Sequence, residues 1–168
     1  METEKMLPFN VKILKNITAS KCAFTRNFKG FEKVEVVRGL FGEETADILA
    51  ALEIEFSNAT LYMRVSNSDG HLLVNPDYFL EASLTEIYLD VIHELVHVKQ
   101  FLEGKRSDNE TAYVERPLEI EAYNITVEEA KAIGVGESEI VDYLNSELVS
   151  AEELKQLAGT LGIEYLIE

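Results

Sequence analysis

Residues 84–104 constrain the fold more than any other stretch, because they predict one long and largely buried helix. With about 100° between successive helical residues, most of the large apolar side chains fall on one stripe. That stripe contains Leu84, Ile87, Tyr88, Val91, Leu95, Val98 and Leu102. Ser83 with Glu86 is typical of an amino-terminal capping box, and Gly104 is typical of a helix end. We therefore expect polar residues on this helix to be buried or to line a cleft.

The polar side chains of this helix form a narrow sector opposite the apolar stripe. The sector contains Glu86, Asp90, His93, His97 and Gln100. His93 and His97 are the ends of an HExxH motif, and residues four apart on a helix share a face. Two imidazoles placed in this way can bind one zinc ion, with Glu94 beside the metal as a base. The pattern favours a zinc site over the alternative of two hydrogen-bonded core histidines.

A second predicted helix supplies candidates for the third protein ligand that a catalytic zinc ion requires. Pro117 suits the first position of this helix, which we expect to run to about Ile133. Four acids lie near its start: Glu110, Glu115, Glu119 and Glu121. On this helix Glu121 falls on the solvent side, whereas Glu119 falls among apolar residues.

An inward carboxylate is costly unless it is paired, hydrogen-bonded or bound to a metal. We therefore predict Glu119 as the third ligand. The alternative is an acid satisfied by backbone N–H groups at the helix N-terminus. Glu121 has an ordinary explanation as a solvated helix charge, so we expect Glu121→Gln to be nearly silent.

The composition indicates one acidic domain. The chain has 168 residues, of which 46% are hydrophobic, and this suits a single domain spanning residues 1–168. Its net charge of −16 repels phosphate backbones, and the basic residues are scattered, so we expect no nucleic-acid partner. No apolar run approaches a membrane span, and METEKMLPFN is not a signal peptide, so we expect a cytoplasmic protein without a membrane partner. Cys22 is the only cysteine, which excludes an internal disulfide and a cysteine-based zinc site.

The other patterns predict strands and helices together, and hence an α+β fold. Residues 59–66 and 71–75 alternate around an Asn-Ser-Asp-Gly turn, which is a strong hairpin signal. Residues 31–39 also alternate apolar and charged side chains and predict a strand, and a short strand is expected at residues 11–14. Residues 43–56 predict a helix whose tail alternates like a strand.

Two features outside the motifs carry smaller predictions. The carboxy-terminal third predicts two short helices, the second opened by a capping box of Ser150 and Glu153. Nothing in these helices indicates chemistry. His71 lies next to the hairpin turn, and we interpret it as an exposed loop-edge histidine rather than a ligand.

HELVH on one helix followed by LEIEA on a second resembles the gluzincin branch of zinc metallopeptidases, and most closely the ImmA/IrrE-type peptidases. The likeness covers residues 59–133 and leaves residues 134–168 as a helical carboxy-terminal extension. It implies one zincin-like domain, in which a small twisted sheet with an edge hairpin packs on the buried HExxH helix and a second, ligand-bearing helix. In the family pattern the Glu three before the Ala is the ligand, which corresponds to Glu119. Tyr123 departs from the Asp or Asn that many gluzincins carry four residues after the ligand, and no DNA-binding region is recognisable.

The resemblance implies a zinc-dependent peptidase acting on a peptide or protein substrate, with a metal-activated water and Glu94 as general base. Tyr113, Arg116 and Tyr123 are candidates for the donor that stabilises the oxyanion. Asp90 is a candidate acceptor for an imidazole N–H, the alternative being a partner for a lysine or for solvent. The exposed edge of the hairpin offers a site for an extended peptide. Two other classes stay open: a non-catalytic zincin-fold interaction protein, and a zinc amidohydrolase acting on a small amide.

Overall fold

The long helix expected from the HExxH motif is the central element of the structure, a computed structural model that describes residues 7–106 and 109–164. This helix, α5, spans Leu84–Leu102. The capping box of Ser83 and Glu86 is present at its start, and Gly104 has the positive φ of 78° that is typical of the residue after a helix. The predicted apolar stripe is buried from Ile87 to Val98, whereas Leu102 is 59% exposed. The core therefore closes around the middle of α5.

A mixed four-stranded sheet packs beside α5, with strand order β2-β4-β6-β5. Its strands are β2 Lys21–Ala23, β4 Glu53–Phe56, β5 Met63–Val65 and β6 Leu72–Val74. The β4 and β6 strands are parallel, and the other two pairs are antiparallel. The predicted hairpin is present, with Met63 opposite Val74 and Val65 opposite Leu72, but its strands are shorter than the predicted ranges 59–66 and 71–75. As a result β5 forms one edge of the sheet and lies next to α5.

The amino-terminal part contains short elements that flank this sheet. A separate two-stranded sheet joins β1 Lys12–Ile13 to β3 Phe28–Lys29, which confirms the short strand expected near residues 11–14. The four-residue helix α1 spans Phe24–Asn27. Phe24, Phe28 and Phe31 are fully buried and contact one another through their rings. The segment METEKM, part of the stretch interpreted above as no signal peptide, lies outside the described residues.

The strand predicted at residues 31–39 is wrong. These residues form a 3-10 turn, Phe31–Lys33, and the start of helix α2, Glu35–Phe41. The buried residues Phe31, Val34, Val37 and Phe41 are spaced by three and four, which places them on one helical face. The same residues also alternate between apolar and charged side chains. Over so short a stretch, the sequence fits the two-residue period of a strand as well as the 3.6-residue period of a helix. For residues 43–56 both parts of the pattern are present, as helix α3 Thr45–Ala51 and strand β4.

The remaining helices cover the other side of α5 and extend the core. Pro76 begins a separate short helix, α4 Pro76–Glu81, before α5 starts. The second predicted helix, α6 Pro117–Ala132, has proline in its first turn and packs along α5. The carboxy-terminal helices are α7 Glu137–Leu144 and α8 Ala151–Thr160, and the predicted capping box of Ser150 and Glu153 is confirmed.

Among the described residues no helix combines the length and apolar character needed to cross a bilayer.

Candidate metal centre

Three predicted ligands from two helices converge on one point. The Nε2 atoms of His93 and His97 lie 3.1 Å apart. Glu119, in the first turn of α6, places Oε2 3.1 Å from His93 Nε2 and Oε1 3.2 Å from His97 Nε2. The side chains are 7%, 16% and 15% exposed for His93, His97 and Glu119, so water only partly solvates the cluster. The geometry brings together the three residues predicted from the sequence.

This convergence fits a metal better than it fits a hydrogen-bond network. Each imidazole Nε2 has one in-plane position, used either by a proton or by a lone pair. Here each Nε2 atom faces both a carboxylate oxygen and the other imidazole nitrogen, which is one contact too many. A tetrahedral zinc ion with ligands at 2.0–2.1 Å separates its ligand atoms by about 3.3 Å. The observed spacing of 3.1–3.2 Å is close to that value.

Glu94 competes with Glu119 for the role of third ligand. Ligand-type atoms of His93, Glu94 and His97 all lie within 4.8 Å of one another. Glu119 nevertheless touches both imidazoles with its two oxygens, whereas Glu94 points about 100° away from His93 around the helix. Glu94 Oε2 is buried and has no hydrogen-bond partner among the described residues. Glu119 is therefore better placed than Glu94 to be the third ligand of a metal ion at this position.

The surroundings of Glu94 and Glu119 shift the pKa values of these two acids in opposite directions. Burial raises the pKa of Glu94 to about 8, although the nearby His97 acts in the opposite direction. Burial also acts to raise the pKa of Glu119, but hydrogen bonds with His93 and His97 outweigh it and hold that pKa well below the ordinary value. Burial lowers the pKa of His93, which keeps a lone pair available. Glu119 is thus the permanent anion of the cluster, and Glu94 is the acid that exchanges a proton near neutral pH.

The cluster of His93, His97 and Glu119 lies in a cleft of about 510 Å³, which residues 59–65 also line. This segment includes the edge strand β5. Glu94 lines the same cleft. Two exposed leucines border the cleft, Leu61 before β5 and Leu148 between α7 and α8, and they are 52% and 50% exposed. A second cavity of about 220 Å³ is also lined by His93, together with Asp142 and Tyr143 of α7.

The prediction that Asp90 accepts an imidazole N–H is wrong, although its side chain stays partly accessible to solvent. Its oxygens accept hydrogen bonds from two tyrosines instead, Tyr78 of α4 and Tyr143 of α7, the latter at 2.7 Å. Burial raises the pKa of Asp90 to about 6. His93 Nδ1 has no partner among the described residues. Through these hydrogen bonds Asp90 connects α4 and α7 to α5, and it does not orient a histidine.

The three oxyanion candidates have different surroundings. The hydroxyls of Tyr113 and Tyr123 lie 2.9 Å apart, and the ring of Tyr123 packs on His93 with 4.5 Å between centroids. Burial raises the pKa of both tyrosines far above the ordinary value, so both hydroxyls keep their protons. Tyr113 lines both cavities. Arg116 lines neither; its Nε donates to the Thr111 carbonyl at 2.9 Å, and its guanidinium lies over the Tyr113 ring.

Sequence reasoning overlooked two contributions to the site. Gln100 was placed in the polar sector without a role, yet its side chain contacts His97 and Glu121. Glu121, expected on the solvent face, is partly buried and accepts a hydrogen bond from Gln100. The carboxy-terminal extension was expected to carry no chemistry, but Tyr143 and Leu148 reach the walls of the cavities. These contacts depend on how separate helices pack, which no local pattern records.

His71 lies away from the metal centre, in agreement with its interpretation as a non-ligand. It is not an exposed histidine, however, because its side chain is only 12% exposed. Its Nδ1 contacts Asp69, and its Nε2 lies 2.9 Å from Glu55 of β4. Burial lowers the pKa of His71, but the hydrogen bonds to these two acids raise it more, and the net pKa is above the ordinary value. His71 thus ties the hairpin turn to β4.

Comparison with known proteins finds no relative: no protein-family model, no curated protein and no solved structure matches the chain. The resemblance to ImmA/IrrE-type peptidases therefore rests on the HELVH and LEIEA motifs. What the chain does has to be inferred from the geometry of its own residues.

Proposed function

We propose that this protein is a zinc metallopeptidase with a zincin-like fold of the ImmA/IrrE type. One observation carries the proposal: His93, His97 and Glu119 converge at 3.1–3.2 Å beside a buried oxygen of Glu94 that has no hydrogen-bond partner in the described part of the chain. The donor set of two histidines and one glutamate is one that catalytic zinc sites use, with a fourth position left for water or substrate.

In this proposal His93, His97 and Glu119 hold the metal, and the other residues move protons and bind the substrate. Zinc, when bound, acidifies a water molecule and polarises the scissile carbonyl. Glu94 takes the water's proton on Oε2 and later delivers it to the leaving amine. The pKa of Glu94, about 8, lies near neutral pH. Such a pKa suits a residue that acts first as a base and then as an acid. The positive charge of a bound metal would lower the pKa of Glu94 from this value toward neutral pH.

Tyr113 is the best placed of the three oxyanion candidates. It lines the cleft, its hydroxyl stays protonated, and Tyr123 holds that hydroxyl in place at 2.9 Å. A fixed neutral donor beside a developing oxyanion stabilises the transition state without reorganisation. Arg116 contacts the ring of Tyr113 and the Thr111 carbonyl, which suits a supporting role.

The shape of the cleft favours a peptide over a small amide. The cleft follows the edge strand β5, whose outer backbone groups can pair with an extended peptide. The volume of about 510 Å³ also exceeds the needs of a small amide. A non-catalytic scaffold would gain nothing from Glu94, because a buried carboxyl oxygen without a partner costs stability. The free oxygen is therefore more consistent with a catalytic base.

The test combines metal analysis with turnover. Protein purified without added metal should contain about one zinc ion per chain, and it should cleave members of a peptide library. Glu94→Gln should keep its zinc and fold but lose cleavage by about 10²–10⁴-fold. Glu128→Gln, on the exposed side of α6, serves as the control and should cleave like the unmodified protein. Undiminished cleavage by Glu94→Gln would show that this mechanism is wrong.

A further inference from the structure

A hydrogen-bond chain runs from the metal centre to the surface through Gln100 and Glu121. His97 Nδ1 lies 2.7 Å from Gln100 Oε1. The amide nitrogen of Gln100 lies 3.0 Å from the Leu118 carbonyl and 3.0 Å from Glu121 Oε1. Gln100 is 2% exposed, whereas Glu121 is partly exposed. The chain joins the end of α5 to the first turns of α6.

The partners of Gln100 fix the orientation of its amide. A carbonyl and a carboxylate can only accept, so the group between them has to be the NH2, with both of its protons used. The remaining Oε1 then faces His97 and can only accept. The Nδ1 atom of His97 therefore carries a proton and donates a hydrogen bond to Gln100 Oε1. The neutral form of His97 consequently has its lone pair on Nε2, the atom that faces Glu119 and His93.

A rotated Gln100 amide would have the opposite effect. The NH2 group would then face His97 Nδ1 and favour the tautomer with the lone pair on that side. Nε2 would carry the proton and could not bind a metal. Glu121 opposes this rotation because its carboxylate would then face the amide oxygen. It also polarises the amide of Gln100 and strengthens Oε1 as an acceptor.

We propose that Gln100 and Glu121 are positioning residues that set the tautomer and orientation of His97 for metal binding. The metal part of this inference rests on the proposed function, whereas the hydrogen-bond chain does not. His93 has no equivalent partner, because its Nδ1 is unpaired among the described residues and its ring packs on Tyr123. His97 is thus the ligand whose orientation is set by hydrogen bonding, and Glu121 determines it from the surface.

The first measurement follows the Nδ1 proton of His97 by NMR in metal-free protein. Both the imidazolium and the favoured tautomer carry this proton, so its exchange with water reports the hydrogen bond to Gln100 without any metal. Glu121→Leu removes the hydrogen bond between Gln100 and Glu121. It should accelerate exchange of the Nδ1 proton by about tenfold or more, the effect expected when one ordinary hydrogen bond is lost. Glu121→Gln retains an acceptor oxygen and should restore slow exchange. Glu128→Leu, seven residues further on the same side of α6, should change nothing.

The second measurement is zinc affinity by competition with a chelator. Gln100→Leu should weaken binding by about 10–100-fold, as the loss of an outer partner of a ligand typically does. Glu121→Leu should weaken it less, and Glu121→Gln should match the unmodified protein. Because Glu121 is partly exposed, its variants should fold even if Gln100→Leu does not.

The two measurements separate failure of this inference from failure of the proposed function. If the unmodified protein binds no zinc, the proposed function fails, and the exchange of the Nδ1 proton still decides the role of Gln100 and Glu121. If the protein binds zinc and cleaves peptides, but Glu121→Leu leaves both exchange and affinity unchanged, the positioning role is wrong and the function stands.

Discussion

Glu119 Oε2 lies 3.1 Å from His93 Nε2, a contact between residues 26 positions apart on two packed helices. The contact puts an anion next to a histidine of the HExxH motif and inside the cleft that follows β5. α5 supplies both histidines within one turn, whereas the acid reaches the site only because α6 packs along α5. The cluster of His93, His97 and Glu119 therefore forms with the tertiary fold, and substitutions on either helix should affect it.

His97→Ala should abolish zinc binding. Two remaining ligands hold a catalytic-type site poorly, and His97 contacts both other members of the cluster. The measurement is metal content after dialysis, by elemental analysis. His71→Ala is the matched control, because His71 binds Asp69 and Glu55 rather than the metal centre, and it should retain about one zinc ion per chain. Full zinc content in His97→Ala would exclude the proposed ligand set.

Glu119→Gln should weaken zinc binding by orders of magnitude, whereas Glu121→Gln should have little effect. Glutamine preserves the shape of both side chains but removes the negative charge that faces His93 and His97. At position 121 it still offers an oxygen to Gln100. Chelator competition on the two purified variants gives the comparison. A larger loss in Glu121→Gln than in Glu119→Gln would mean that the helix presents the other acid to the metal.

Local patterns in the sequence predicted those elements whose signals agree over many residues. The apolar stripe and capping box of α5, the proline that opens α6 and the turn of the hairpin are all of this kind. The convergence of His93, His97 and Glu119 followed as well, because it depends mainly on the phase of each helix. Residues 31–39 failed because the alternating and helical periods fit the same short window, and burial in the tertiary structure selects the helix.

Partners supplied by distant elements could not be predicted in this way. Asp90 is satisfied by Tyr78 and Tyr143, which arrive from α4 and α7. Gln100 finds Glu121 only through the relative rotation of α5 and α6. A helical wheel shows which side a residue faces, but it contains no information about which side chain of another helix meets it.

Tyr113→Phe should lower kcat and leave zinc affinity unchanged. Tyr113 lines the cleft, and the recorded hydrogen-bond partner of its hydroxyl is Tyr123 rather than His93, His97 or Glu119. Loss of one oxyanion donor typically costs about 10²–10³ in kcat. Steady-state kinetics on a cleaved peptide, together with zinc content, provide the test. Arg116→Lys is the control and should cause a smaller decrease, because Arg116 lines neither cavity. Equal kcat for Tyr113→Phe and the unmodified protein would exclude Tyr113 as the donor.

Ionisation of Asp90 should destabilise the fold as the pH rises. Burial raises its pKa from 3.8 to about 6, so the folded chain holds a proton that the unfolded chain releases. The stabilising effect of this proton is complete below the unfolded pKa and is lost as the pH rises through 6. Relative to Asp90→Asn, the unmodified protein should lose about 2 kcal/mol of unfolding free energy between about pH 4 and about pH 7. Urea titrations of metal-free protein at both pH values measure the difference.

The control for this measurement is the neighbouring exposed acid Asp142. Asp142→Asn should follow the unmodified protein across the same pH range, because its side chain is exposed. A difference between Asp90→Asn and the unmodified protein that does not change with pH would mean that Asp90 ionises in the folded state as easily as in the unfolded chain.

Gly70→Ala should destabilise the protein, because the hairpin turn requires glycine there for two reasons. Gly70 has a φ of 81°, which L-residues rarely adopt, and an added Cβ would lie 2.6 Å from Cδ1 of Phe101 at the end of α5. We expect a loss of about 2–4 kcal/mol in the free energy of unfolding. Gly39→Ala is the matched control: Gly39 lies inside α2 with no atom near the added Cβ, so alanine should stabilise by about 0.5–1 kcal/mol. Chemical denaturation measures the free energy of unfolding of both variants. Equal stability of Gly70→Ala and the unmodified protein would mean that the turn does not pack against Phe101.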